Sequence, residues 1–455
     1  MKTVITAKLK LETTQEQRTH LRAMQLAYRD ALNFVSQYAF AHGKMSNKVA
    51  LQDATYQEIR HRFHLPSQMA CSVPRQVGAT YKGLWTKVKK NAADRQSGRT
   101  KKRYKGLDQA PKYVSPTLTY QYKKDYSVRR EQQMSILTLQ GRLHISYSGY
   151  HKHLELIAQG AEIGTAQLWY DQPHHQFYLL VALTMEVPDP TPEQHTQVMG
   201  VDVGVRYLAV TSTTSGTSSF HSGKPVAPKA NHYARLRKRL QKKGTRAATR
   251  RLRGISGRER RLKADANHTV SKRIVQAHPH TLIGLEDLTG IRERTKRRKK
   301  RRKKNGNGAE PISVKQRKAN ATYSKWSFAE LQDLIAYKAL LNKSMAIKVD
   351  AHYTSKACPM CGHTCDANRP GKGLLFACQT CHYTLHADLV GARNLAMRTL
   401  VVRQDWMATG QLSVAPGSLD GPDVSAKEAK AARLQRYAEL RWMPEANPRS
   451  QDGGI

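Results

Sequence analysis

Residues 353–398 read YTSKACPMCGHTCDANRPGKGLLFACQTCHYTLHADLVGARNLAMR and hold two chemical signals in fewer than fifty positions. The first is Cys358, Cys361, Cys378 and Cys381, spaced C-x2-C-x16-C-x2-C. Two close pairs of thiolates can close a tetrahedron around Zn2+, each pair forming a knuckle and the segment between them a short hairpin. A four-sulfur shell leaves no position open for water, so this expected ribbon is structural and not itself catalytic. The second signal is Asp388, seven residues past the last cysteine, at the head of the helical run LVGARNLAM. A carboxylate there has an ordinary reading as a helix N-cap, and catalysis by it would need partners from far upstream.

The totals constrain those partners. The 455 residues carry 77 Lys plus Arg against 34 Asp plus Glu, a formal net charge of +43. A surplus of this size exceeds what solubility needs and points to a polyanion, nucleic acid first, with a solvated basic face as the bland alternative. The length predicts two or three domains. Six cysteines, four of them in the ribbon pattern, argue for a reducing interior and a metal, leaving Cys71 and Cys365 as ordinary thiols. Neither a signal-peptide core nor an 18-residue apolar run is found, so the expectation is a soluble intracellular protein.

In the first half, Ile5, Ala7, Leu9 and Leu11 alternate with polar residues and predict a strand. Thr14-x-x-Gln17 offers a capping box, and Leu21, Met24, Tyr28, Leu32 and Val35 follow at helical spacing as far as Gly43. Further helices are expected over 51–63 and 74–91. The period then changes to two, predicting strands over 117–122, 134–139, 142–147, 166–170 and 177–185 and so a small barrel or sandwich that includes the first strand. VPDPTP, residues 187–192, is a stiff polar linker.

From Gln197 the pattern changes again. VMGV ends on Asp202, TLIGL ends on Glu286 with Asp287 as a decoy beside it, and Asp388 completes a set of three acids at element ends where acids are scarce. Hydrolysis of a phosphodiester by two divalent ions needs such converging carboxylates, and oxygen ligands suit Mg2+ or Mn2+. Spacing alone cannot show that they meet. Between them lie two basic blocks. Residues 235–263 hold fourteen Lys or Arg against Glu259, in helical composition, and residues 292–304 hold eleven against Glu293. Arg235, Arg237, Lys238, Arg239, Lys242 and Lys243 in the first block, and Arg297, Arg298, Lys299 and Lys300 in the second, are the candidate nucleic-acid contacts. The second block is too highly charged to pack and is expected as a mobile loop, a clamp or lid. An amphipathic helix over 328–341 and a strand over 346–349 precede the ribbon, and past Leu400 one helix over 425–442 is expected in an otherwise unassigned tail.

In combination, VDVGVRYLAV, LIGLEDLTGIRER, YTSKACPMCGH and FACQTCHYTLHADLVGARN, in this order, closely resemble the TnpB family of transposon-associated RNA-guided nucleases, related to type V CRISPR effectors and Fanzor. The resemblance covers nearly all of residues 1–400, weakly in the first half and specifically after Val198. It implies an α/β plus β architecture: an RNase H-like RuvC domain (197–350 and 383–400) with an inserted zinc ribbon (351–382). Before it stands a β-barrel wedge domain (1–12 and 113–186) carrying an inserted helical recognition domain (13–112). A linker (187–196) joins the halves, and 401–455 form a flexible tail. It further implies that Asp202, Glu286 and Asp388 are the catalytic acids, that Arg393 and Asn394 support them, and that the partners are a guide RNA from the transposon end and double- and single-stranded target DNA. On this reading RNA pairing reads sequence while the protein holds backbones and a short adjacent motif. Monomer and dimer stay open. Val390 and Gly391 stand where the family usually has Asn and Ala, while all three acids remain. A nuclease-inactive RNA-guided repressor or transposon accessory factor, and an RNA-independent junction nuclease, are the competing readings.

Overall fold

The computed structural model describes residues 2–98, 100–115, 118–129, 131–288, 300–302, 309–311, 313–314, 326–372, 374–412 and 426–443. They form two compact units, Met1–Pro188 and Asp189–Ile455.

In the first unit, β1 (Lys2–Glu12) is followed by α1 (Gln15–Ala41), α2 (Lys48–Phe63) and α3 (Ser67–Gln96) before the chain returns to strands. These are β2 (Leu118–Tyr120), β3 (Tyr126–Val128), β4 (Gln133–Thr138), β5 (Gly141–Gly149), β6 (Glu162–Asp171) and β7 (Gln176–Glu186), with α4 (His151–Ala158) between β5 and β6. All pair antiparallel in the order β2-β6-β7-β1-β5-β4-β3. The first strand therefore lies at the centre of the later sheet, and the helices are an insertion, as the change of period predicts. The sheet curls until its ends nearly meet: Tyr120 on β2 donates to the Leu137 carbonyl on β4 at 3.0 Å, and Tyr126 on β3 donates to the Gly164 carbonyl on β6 at 2.7 Å. Both tyrosine rings are fully buried. The capping box at Thr14 and Gln17 is formed, which is why α1 begins where its sequence signal stands. The third helix starts at Ser67, seven residues before the expected Pro74. Buried Met69, Ala70 and Val73 bind the first two turns to the helical core and carry the helix through a proline that lacks one backbone donor.

The second unit holds a five-stranded sheet of β8 (Gln197–Asp202), β9 (Tyr207–Thr213), β10 (Ser218–Ser222), β11 (Thr281–Glu286) and β14 (Met345–Val349), in the order β10-β9-β8-β11-β14. β8, β11 and β14 run parallel, and β9 and β10 are antiparallel additions. The connections are α5 (Ala227–Lys243), α6 (Arg246–Ala277) and α7 (Phe328–Leu341); β12 (Lys300–Arg302) and β13 (Ala309–Pro311) pair as a small ribbon. After the cysteine ribbon, which includes β15 (Leu375–Ala377) and β16 (Thr384–His386), come α8 (Ala387–Thr409) and α9 (Ala426–Glu439). Parallel strands covered on both faces read as continuous apolar runs, and each face has its own helices here. Met199, Val201, Ile283 and Leu285 pack on α6 and α7 through Val270, Ile274, Leu331 and Ile335. Val198, Leu282, Ile347 and Val349 pack on α8 through Leu395 and Val402.

Candidate active site and metal centre

The alternation of strand side chains decides where the acids point. Gly200 and Asp202 on β8, like Gly284 and Glu286 on β11, are two residues apart and so share a face, the face that carries α8. Gly200 and Gly284 are also direct partners across the two strands. A methyl group at either would overlap the helix: at Gly200 it would strike the backbone of Ala392 and Ala396, and at Gly284 the hydroxyl of Thr399. The paired glycines therefore form a flat floor on which α8 lies in backbone contact. Beyond that floor, where the strands end, the two carboxylates emerge beside the first turn of α8, which brings Asp388.

Each of the three acids is partly buried. Burial, then the charges of Glu286 and Asp388, push the Asp202 carboxyl well above the usual carboxylate range, while Arg369 and the Val203 N–H pull it back. Glu286 and Asp388, distant in sequence, thus both sit within electrostatic reach of Asp202. Repulsion of this kind is what bound divalent cations relieve. Asp287 is exposed, outside the strand. Asp388 is not the helix cap; that position is His386, whose Nδ1 accepts from the Asp388 N–H at 3.3 Å. Gly391 stands one turn on, and a Cβ there would come within 3.0 Å of the Asp202 carboxylate. The glycine leaves room at the acid that an alanine would take.

Both residues expected to support the acids make contacts to the ribbon and the residues beside it. Asn394 is buried and donates from Nδ2 to the carbonyls of Thr354 at 2.6 Å and Ala357 at 2.9 Å. Arg393 donates to the Tyr383 hydroxyl, and its guanidinium lies 5.0 Å from the Trp442 ring centroid. Two further arginines had escaped the sequence reading. Arg398, also buried, donates to the carbonyls of Asp350 at 2.5 Å and His352 at 2.7 Å and stacks over Tyr437 at 4.1 Å. Arg369, from the ribbon, supplies a positive charge that favours the ionised form of Asp202. The i, i+4 offset from Asn394 to Arg398 on one helix is the available signal for the former; nothing in the sequence marks Arg369.

Among the described residues, Cys358, Cys361, Cys378 and Cys381 are the one set of metal-ligating side chains whose ligand atoms all lie within 4.8 Å of one another. The Cys358–Cys381 and Cys361–Cys378 sulfurs are 3.6 and 3.5 Å apart. Zinc–sulfur bonds of about 2.3 Å at tetrahedral angles need about 3.8 Å between sulfurs, so the set fits that ion. The two knuckles are built alike. The Gly362 N–H donates to the Cys358 carbonyl and the His382 N–H to the Cys378 carbonyl, and both donors have positive φ, +78° and +58°. Phe376, fully buried, packs with Cys358, Cys378, Ala387 and Val390, so the ribbon's core is continuous with the first turn of α8.

On α5, Arg235, Lys238, Arg239, Lys242 and Lys243 are exposed. Arg237 instead turns inward to Glu259 of α6, which Lys263 also contacts at 2.8 Å. Arg297, Arg298 and Lys299 lie outside the described residues, as does most of the 292–304 block; Lys300 opens β12, and its side chain is likewise outside them.

Two family models match this chain. One, described as "Probable transposase", covers residues 182–290, and the other, the Cas12f1-like TNB domain, covers 328–395. Over those stretches the chain is similar to transposases and to the TNB domain of Cas12f1-like proteins. Relatives named TnpB-like and Cas12f1 are similar to it as well, and the resemblance carried by the motifs is borne out. The CRISPR-associated endodeoxyribonuclease Cas12f1 of Sulfoacidibacillus thermotolerans is 26% identical over 52% of this chain and 53% of its own length. InsQ of Escherichia coli (strain K12) is 27% identical over 48% and 53%, and a TnpB-like protein of Methanocaldococcus jannaschii 32% over 31% and 44%. The chain spans about half the length of the curated relatives it matches.

Proposed function

We propose that this chain is an RNA-guided DNA endonuclease and that Asp202, Glu286 and Asp388 are its cleavage centre. The observation that carries the reading is the convergence of these acids on one face, from two adjacent parallel strand ends and the first turn of the helix laid across them. The strand order, with three antiparallel strands feeding two parallel ones, supports an RNase H-like, RuvC-type domain. A relative named as an endodeoxyribonuclease supports the reaction class.

The three carboxylates would hold Mg2+ or Mn2+, ions that activate water and stabilise the leaving oxygen in phosphodiester hydrolysis. The rest belongs to the protein's own side chains. The paired glycines let α8 approach until Asp388 stands beside the strand ends. Asn394 and Arg398 tie that helix to the start of the ribbon, so the zinc site acts as a scaffold for the third acid. Arg369 brings a cation to where a scissile phosphate would sit. The exposed cations of α5 follow a phosphate backbone, and the N-terminal barrel and its helices act as wedge and recognition domains for a guide RNA from the transposon end and for the target.

The test begins with the RNA that co-purifies with the protein. Its sequence names a target, and the complex is given that target as double-stranded DNA with Mg2+ and with chelator. Cutting with Mg2+ alone is expected. Tight, salt-sensitive binding without cutting would instead favour a nuclease-inactive repressor, and cutting without RNA a junction nuclease.

A further inference from the structure

The acid cluster has an aromatic neighbour that its chemistry does not use. Phe220 lies on β10, the edge strand, and is 40% exposed among serines. It belongs to none of the apolar clusters that close the two faces of the sheet. Its place is nevertheless defined. Asp202 pairs directly with Val210, and Val210 with Phe220, so the three form one row across β8, β9 and β10. Direct partners project from the same face, and Val210 packs on Leu389 and Ala392 of α8. Phe220 therefore stands on the face of the acids, two strand spacings or about 10 Å from Asp202.

The ring is also held upright. Its centroid is 5.0 Å from that of Tyr207 and 5.1 Å from that of His386, at 68° and 85°, and Tyr207 and His386 are themselves 5.3 Å apart at 79°. Three rings meeting edge to face fix the orientation of the exposed one. His386 is fixed from the other side, because its Nδ1 accepts the Asp388 N–H at the start of α8. A register shift between His221 and Ser222 bends the edge strand just past Phe220, a usual means of aiming a side chain at a site. Edge strands are ordinarily blunted with charge; this one offers a rigid, uncharged face.

We propose that Phe220 is a base-stacking ledge: a nucleobase of single-stranded DNA next to the scissile phosphate stacks on its ring while the phosphate lies at the acid cluster. Tyr207 and His386 are the positioning residues of that ledge. The inference rests on the reading of the acids as a DNA-cleaving centre. Stacking tolerates any base, so the ledge holds the strand without adding sequence preference.

The test uses the guide-RNA complex of the full chain and single-stranded DNA carrying either the fluorescent base 2-aminopurine or one abasic nucleotide at successive positions. In Ca2+, the wild type is expected to quench 2-aminopurine at one position, and Phe220→Ala to abolish that quenching and weaken binding about tenfold. In Mg2+, Phe220→Ala raises KM with kcat little changed. Phe220→Tyr restores both readouts and Phe220→Leu does not. An abasic nucleotide at the quenched position weakens wild type to the level of Phe220→Ala and leaves Phe220→Ala unaffected. A Phe220→Ala complex that quenches and cuts as wild type does would overturn the ledge, as would full rescue by Phe220→Leu. Position-specific quenching without any cutting would leave the ledge standing and sink the nuclease reading instead.

Discussion

Substituting Gly284 with alanine tests the contact that brings the third acid into place. A methyl at 284 would overlap the Thr399 hydroxyl and stand 3.0 Å from the Thr399 Cβ and 3.2 Å from the Leu395 carbonyl oxygen. Thr399 is fully buried and its hydroxyl donates to Leu395 at 2.7 Å, so it cannot swing into solvent. Overpacking of this kind costs about 1–3 kcal/mol, and with a fixed neighbour the upper part of that range is expected. Thr399→Ala removes the overlapping oxygen. On its own it loses a hydrogen bond of about 1 kcal/mol and gains about 0.5 kcal/mol of helix propensity, which leaves it nearly neutral. The double variant should therefore recover about 1–2 kcal/mol relative to the sum of the single changes. Amide hydrogen exchange of α8 reads this locally, without assuming that two units unfold together. Gly284→Ala should speed exchange of 392–402 by about tenfold or more, each 1.4 kcal/mol being tenfold, and Thr399→Ala should reverse part of it. Gly254→Ala is the control: it lies on α6 with nothing within 4 Å of an added Cβ, and helix propensity predicts a gain of about 0.5–1 kcal/mol. Wild-type exchange in Gly284→Ala, or no relief from Thr399→Ala, would refute the flat glycine floor.

Three further outcomes follow from the same contacts. Stripping zinc with a chelator, or Cys378→Ser, should sharply lower amide protection over 374–386 by native exchange, since the four sulfurs join the two knuckles; protection unchanged by metal removal would count against a structural ion. Arg398→Met removes the buried donor to the Asp350 and His352 carbonyls and should destabilise the second unit by about 3 kcal/mol in denaturant titration, with Tyr437→Leu costing about 1 kcal/mol. Burial, with Lys272 nearby, lowers Lys338 from 10.5 to about 8. Because its folded value lies below its unfolded one, the penalty is full below pH 8 and fades as pH rises to 10.5. For a half-buried group that amounts to about 1 kcal/mol after screening, and Lys338→Met should remove this rise in stability between those pH values.

Much of this was legible in the residues. The capping box set the start of α1, and the apolar runs VMGV and TLIGL gave β8 and β11 because strands buried on both faces need no alternation. The acids at their ends were visible, and so was the ribbon. The glycine two residues before each of Asp202 and Glu286 was equally in view, and reading it would have pointed to a helix laid flat across both strands. Other elements carried no such signal. β10 is SSFHS, without an apolar alternation, and exists because β9 offers it a ladder; β3 has three residues. Pro74 looked like a helix start, and only the burial of Met69, Ala70 and Val73 shows that the helix runs through it. Arg369 approaches Asp202 across 167 positions through the ribbon's fold, a juxtaposition no local pattern encodes.

The central claim is that Asp202, Glu286 and Asp388 form one cleavage centre. It is tested most directly by measuring single-turnover cleavage of a guide-matched double-stranded DNA in Mg2+ by the Asp202→Asn complex. The wild-type complex should cut both strands. The variant should bind the same RNA and DNA with unchanged affinity but cleave at least about a thousandfold more slowly, because the charge that would hold the cation is gone. Cleavage by Asp202→Asn at the wild-type rate would contradict the account.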